Sequence, residues 1–343
     1  MNIIHFYARY LRESHNWNRE REVTRNGVMT FANWWREDPH KNWFARFIDA
    51  GNKDPERRIR FYSIFGPYSK LKEDFDGAKI FFSGENLEQP VLHRILKTDP
   101  IEDRIWADRR KLYGNYGAGE VDLAIGFGNR EEDSLLGFEG SRKTKYIRFP
   151  LWLTYVFDPD CTHDDIKRTI DEINAVRSTG RKDTLLLASH DFWGTRSDIL
   201  KSLEGVCDIS IAGKWRNNTK ELWEDYDNDK NKYLSEFKFN ICPENVDAPG
   251  YVTEKIFDAF KCGAIPIYQG CLGKPEPNVI NTDAVLLWDF DGDNSDTIAL
   301  IKKLNSDNVY YDNFVSQPKF KPDAAEYVVA CMDELRRSFD RLI

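Results

Sequence analysis

Short apolar runs that end in polar turns dominate the first half of the chain: "GVMTFANWW", "RIRFYSIFG", "AKIFFSGEN" and "VDLAIGFGN". Their length and their branched and aromatic content predict buried strands, each running into a loop that could face a cleft. The stretch Arg148 to Asp165 gathers turn residues at its end and marks the crossing between two halves. Beyond it, Ile166, Ile170, Ile173 and Val176 share one helical face, with Gly180 as the stop. The second half alternates: strand "TLLLASH", helix "RSDILKSL", strand "CDISIAG", helix "NKYLSEF", strand "FKFNICPEN". A helix within Glu244 to Gly270 follows, then strands "AIPIY" and "AVLLWDF", and a last helix carrying Val328, Met332, Leu335, Phe339 and Leu342 in register. Alternation of this kind predicts a parallel sheet with helices on both faces. Ligands on such sheets sit at the carboxyl ends of the strands.

Two of those strand ends carry a cation where a helix begins. In "ENVDAPGYVTEKIFDAFKCGAIPIYQG" (Glu244 to Gly270), Thr253 is a candidate cap, Ile256, Ala259 and Phe260 form the apolar face, and Gly263 supplies the stop. The first turn then holds Glu254 and Lys255. Unpaired N–H groups make that end positive, so a lysine there is out of place unless it meets an anion. In "LLLASHDFWGTRSDIL" Thr195 opens a helix, Asp198 is a capping-box partner, and Arg196 occupies the first turn. Two such units in one domain would converge on one diphosphate. A solvated charge at either position costs only about 0.3–1 kcal/mol, so each alone has an ordinary explanation too. Glu254 suits a ribose diol, though a plain first-turn acid explains it equally. Lys214 and Arg216 follow another strand and fit a solvated basic loop.

In the first half, Glu85 follows a strand and a glycine in "KIFFSGEN", a position suited to a general base. From position alone a turn-forming loop acid is the simpler reading. The aromatic cluster "ANWWREDPHKNWF" offers faces for sugar stacking or for a core. "DYDNDKNKYLSE" (Asp225 to Glu236) has acids at calcium-loop spacing, but Lys230 stands where the turn glycine belongs, which favours an acidic helix start. The triplets Asp158 to Asp160 and Asp289 to Asp293 lack further metal ligands nearby in sequence. No metal site is expected.

Charged residues make up 31% of the chain and the net charge is -8, which argues against a general nucleic-acid surface. The six cysteines are scattered without paired spacing and read as reduced thiols. The N-terminus meets charge too early for a secretory signal, and no apolar run approaches a membrane span. A cytoplasmic protein is the expectation, with room for a peripheral membrane contact.

Residues 237 to 270, "FKFNICPENVDAPGYVTEKIFDAFKCGAIPIYQG", resemble the signature of the α-1,3/4-fucosyltransferases, glycosyltransferase family 10, above all its bacterial members. "FFSGEN", "DLAIGF", "YIRFPLW" and "ASHDFWGTR" support the resemblance in order, from about residue 78, and "FANWW" extends it toward the first strand. Residues 1 to 27 match nothing in it. Pro243 departs from the signature, where an aromatic residue commonly precedes the Glu-Asn pair, and "DAP" before Gly250 reads as an insertion.

The resemblance implies an α/β, GT-B-like fold of two Rossmann-like domains facing across a cleft. The expected boundaries are 1–155 for the acceptor domain and 162–343 for the GDP-fucose-binding domain, with helix 323–343 packing back on the first. It implies Arg196 and Lys255 on the diphosphate, Glu254 on the ribose, Asn245 and Tyr251 lining the donor site, and Glu85 as catalytic base. It also implies inverting transfer from GDP-fucose to N-acetylglucosamine in an N-acetyllactosamine-type, Lewis-like glycan. No cofactor is required; a divalent cation would at most stimulate. The rivals are a GT-B transferase for another nucleotide sugar and a non-catalytic nucleotide or glycan binder. Glu85 argues against the binder.

Overall fold

The computed structural model describes residues 3–19, 22–25, 28–34, 40–51, 58–88, 100–128, 135–136, 143–177 and 182–342. Trp35 to Pro39 of the aromatic cluster and the helix stop at Gly180 lie outside them. The chain forms two compact units. The described residues up to Thr162 form the first together with those from Val328 onward, and His163–Tyr327 form the second.

The N-terminal unit opens with α1 (Ile3–Asn18), a helix in the segment without family resemblance. β1 (Glu22–Arg25) pairs antiparallel with β2 (Met29–Ala32), and α2 (Trp43–Ala50) follows. Then come β3 (Ile59–Tyr62), β4 (Ala78–Phe82), α3 (Pro100–Tyr113), β5 (Leu123–Gly126), β6 (Leu135–Leu136), β7 (Thr144–Arg148) and α4 (Leu153–Val156). The sheet order is β1-β2-β3-β4-β5-β7-β6, and β2, β3, β4, β5 and β7 run parallel. The four expected strands are all present. Their burial is nearly continuous, as it is for strands covered on both faces.

The C-terminal unit starts with α5 (His163–Ala175), which buries Ile166, Ile170 and Ile173 as its periodicity requires. β8 (Lys182–Ala188), α6 (Thr195–Ser202), β9 (Ile209–Gly213), α7 (Glu221–Glu224), α8 (Lys230–Leu234) and β10 (Phe237–Ile241) follow. The chain continues through α9 (Glu254–Lys261), β11 (Ile265–Tyr268), β12 (Leu286–Leu287), α10 (Ser295–Ser306) and α11 (Asn308–Val315). The five strands are parallel in the order β12-β11-β10-β8-β9. Alternation along β8 explains the two layers. Leu186 and Ala188 face α6, α10 and α11, while Leu185 faces α7 and α8. Chain order reverses between β8 and β10, which makes their carboxyl ends the topological switch point.

α9 closes as expected. Gly263 takes φ +74, and the N–H of Ala264 reaches the carbonyl of Ala259 at 3.0 Å, a Schellman stop. The last helix, α12 (Ala324–Asp340), joins the N-terminal unit from Val328 onward. There Phe339 packs edge-on to Phe44, Phe47 and Phe61, and Lys145 pairs with Glu334 at 2.7 Å.

Candidate active site

β8 ends in a loop through Asp191, and β10 ends in a loop through Glu244 and Asn245. These loops meet across the switch point. Arg196, on the first turn of α6, is 7% exposed and donates to Asn245 Oδ1 at 3.1 Å. Its Nε is buried with no partner. The expected capping box does not form. Gly194 at φ +76 is the cap residue, and Asp191 instead accepts from the N–H groups of Arg196 (3.0 Å) and Ser197 (2.9 Å) and from the Ser197 hydroxyl (2.7 Å). A carboxylate from outside the helix reaches the orphan amides better than Asp198 can from inside it.

Lys255 does meet an anion, and the protein supplies it. The Glu244 carboxylate lies 3.1 Å from Nζ with its side chain fully buried, while Lys255 keeps 20% of its own side chain exposed. Thr253 occupies the cap position of α9 but makes no capping bond with its side chain. Its hydroxyl donates to Glu244 Oε2 at 2.7 Å and accepts from Lys255 Nζ at 2.8 Å. Glu254 Oε1 stands 3.6 Å from Nζ. Burial opposes the charge on Lys255, yet Glu244 and Glu254 outweigh it and hold the ammonium above the usual lysine range.

His190 follows β8 and stacks on Phe192 with ring centroids 4.0 Å apart. Burial, then Arg196 and Lys255, push its pKa down, so it is neutral at physiological pH with a buried, unpartnered Nδ1. Tyr251 is 3% exposed, its N–H bonded to the carbonyl of Ala248 at 3.1 Å. Pro243 fits the strand end because the flanking N–H groups of Cys242 and Glu244 make the bonds toward β11, to Ile267 (3.0 Å) and Gln269 (2.8 Å). A residue between them points its donor the other way, so the missing N–H interrupts nothing on that side.

Four of the predicted residues therefore gather at one place: Arg196, Asn245, Glu254 and Lys255. Glu85 belongs to the other unit, half-buried after β4. Its loop is pinned by Ser83, whose Oγ accepts from the Glu85 N–H (3.1 Å) and donates to the Glu85 carbonyl (2.8 Å). Asn86 makes the next turn through Glu88. Lys214 and Arg216 are exposed. Trp43 and Phe44 belong to an aromatic cluster with Phe47 and Phe149, while Trp34 stacks on Phe82 with centroids 5.8 Å apart. Among the described residues no cluster of three metal-ligating side chains occurs. Asp229 caps α8, and Arg46 pairs with Asp158 and Asp160.

Residues 180–328 match the family profile described as "Glycosyltransferase family 10 (fucosyltransferase) C-term". That stretch is similar to the C-terminal part of glycosyltransferase family 10. The Helicobacter pylori α-(1,3)-fucosyltransferase FucT is 58% identical over 41 residues, 12% of this chain and 9% of that protein. Drosophila melanogaster α-(1,3)-fucosyltransferase B is 28% identical over 183 residues, 50% of this chain and 40% of that protein. The matches thus span less than half the length of these curated relatives. A crystal structure of an α1,3-fucosyltransferase with GDP has the same fold over 95% of this chain and 94% of its own, at 19% identity and a TM-score of 0.53. Glu244, though part of the signature, had no role assigned, because nothing in the linear order says that it folds under Lys255.

Proposed function

We propose that the protein transfers fucose from GDP-fucose to the 3-hydroxyl, or the 4-hydroxyl, of N-acetylglucosamine in a galactose-containing glycan, with inversion. The observation that carries this reading is the pair Arg196 and Lys255, drawn to the switch point of the C-terminal sheet from two separate helix starts. Two cations and the first-turn amides of α9 suit a diphosphate better than any single charge. Asn245, fixed by Arg196, and Tyr251 line the same pocket in this reading, and Glu254 receives the ribose hydroxyls.

The chemistry follows from where charge develops. The acceptor oxygen forms a bond to the anomeric carbon as the bond from that carbon to the β-phosphate oxygen breaks. The acceptor proton passes to Glu85, and the electron pair leaves with GDP. Arg196, Lys255 and the first-turn amides of α9 stabilise the charge that grows on the leaving diphosphate, without a metal ion. One carboxylate suffices, because GDP leaves as an anion and needs no protonation.

The test is product formation from GDP-fucose with Galβ1-4GlcNAc and Galβ1-3GlcNAc, wild type beside Glu85→Ala. The reading expects transfer to one acceptor and a loss of about 10²–10⁴-fold in the variant with GDP-fucose affinity kept. A Glu85→Ala enzyme that still transfers at the wild-type rate would remove Glu85 from the mechanism.

A further inference from the structure

A buried carboxylate beside a diphosphate site is an oddity, since it repels the ligand the site is read to hold. Glu244 is that carboxylate. Its Oε1 accepts from the Thr253 N–H at 2.8 Å and the Tyr268 hydroxyl at 3.2 Å. Its Oε2 accepts from the Thr253 hydroxyl at 2.7 Å and Lys255 Nζ at 3.1 Å. A carboxylate has about four lone-pair sites, and all four are engaged by the protein. Glu244 thus has no capacity left for a ligand, and whatever it does is done through its neighbours.

The neighbour that matters is Lys255. An ammonium has three N–H vectors. One goes to Glu244 and one to the Thr253 hydroxyl, so the direction of the third is set. Lys255 also needs its charge defended. Burial favours the neutral amine, and Arg196 on α6 pushes the same way. Around it stand His190 after β8, Cys242 and Glu244 after β10, Tyr268 on β11, and Glu254 and Asp258 on its own helix. Of these, only Glu244 combines an anionic charge with a direct hydrogen bond to Nζ.

We propose that Glu244 is a positioning residue that keeps Lys255 cationic and aims its one remaining N–H at the phosphate of the donor, an inference that rests on the donor-site reading above. The repulsion Glu244 imposes on the ligand is the cost of a lysine that arrives charged and oriented rather than neutral and loose. Thr253 shares the task, which explains why its hydroxyl is withdrawn from helix capping.

The experiment pairs an NMR titration of the Lys255 side chain, using ¹³Cε-labelled lysine assigned with Lys255→Arg, with GDP affinity across pH 6.5–9.5. In the wild type, Lys255 titrates above the usual lysine range and its share of GDP affinity is flat with pH. In Glu244→Gln the titration midpoint falls, because burial and Arg196 still oppose the charge and only Glu254 remains beside it. GDP affinity of that variant then drops by up to about tenfold per pH unit above the new midpoint, beyond any change the wild type shows. A purely structural role predicts a pH-independent loss instead. A folded Glu244→Gln protein in which Lys255 titrates as in the wild type overturns the proposal.

Thr253→Val supplies the second arm if Glu244→Gln does not fold. It keeps the carboxylate and the side-chain shape, so Lys255 stays charged, but GDP affinity falls about 3–10-fold through lost orientation. Unchanged affinity in Thr253→Val overturns the aiming role. Should the wild type bind no GDP at all, the donor-site reading fails, while the titration still decides whether Glu244 governs the charge of Lys255.

Discussion

Gly270→Ala is the sharpest structural perturbation of this site, because it strikes the underside of Glu244 without touching a proposed ligand contact. Gly270 has φ +149 and ψ +170, a region that side chains essentially do not enter, and forcing alanine there costs about 1–3 kcal/mol. The added Cβ would stand 2.7 Å from Glu244 Cγ, 3.0 Å from Glu244 Cβ and 3.0 Å from the Tyr268 oxygen. These are stem atoms of a side chain held by four hydrogen bonds, so they cannot swing aside. Overpacking of this kind adds about 1–3 kcal/mol. A combined cost of about 2–6 kcal/mol lowers the melting transition of the C-terminal unit by about 4–24 °C, at about 2–4 °C per kcal/mol for this size. Gly205→Ala is the control. Gly205 also has positive φ, +72, but its added Cβ meets nothing within 4 Å, so only about 1 kcal/mol of backbone strain applies. Differential scanning calorimetry of both variants reads the result. Equal drops would mean that the packing of Gly270 against Glu244 is not as tight as described.

The cap of α6 yields a paired prediction: Asp191→Ala costs about 1–2 kcal/mol in urea unfolding, because three hydrogen bonds at the helix start are lost, whereas Asp198→Ala stays within about 0.5 kcal/mol. Asp258 yields a pH prediction. Burial, with Glu254 one turn earlier, raises its carboxyl to about 6, so between about pH 4 and 6 the native state holds a proton that the unfolded chain has released, and stability falls as pH rises through that window. Asp258→Asn removes the penalty and is expected to be more stable by about 1–2 kcal/mol at pH 7.5, after allowance for partial exposure, and no more stable at pH 4. Urea unfolding at the two pH values decides it, and an advantage that persists at pH 4 would refute the assignment.

The strands were legible because each is a short apolar run with a polar end, and β8 shows why: two layers of helices bury both its faces. The helix starts were legible as positions but not as chemistry. Thr253 has the residue type and place of a cap, yet its hydroxyl serves Glu244, and Asp191 caps α6 from a loop where no spacing rule points to it. Such choices depend on loops brought together by the sheet, and sequence spacing carries no record of that. α1 was missed although half of its residues are apolar or aromatic, and β6 because two residues give no periodic signal. Glu244 is the instructive omission. It lies eleven residues before Lys255, across a proline and a glycine turn, and only the pairing of β10 with β11 brings it beneath the lysine.

The most direct test of the account is calorimetric titration of GDP-fucose into the wild type and into Arg196→Met. Arg196 is 7% exposed and already fixed on Asn245, so its loss removes one charge-assisted contact to the diphosphate, about 1.5–3 kcal/mol. The account predicts saturable binding to the wild type and affinity weaker by about 10–100-fold in the variant, with both proteins folded. A wild type that binds neither GDP-fucose nor GDP, or an Arg196→Met protein that binds as tightly as the wild type, would contradict it.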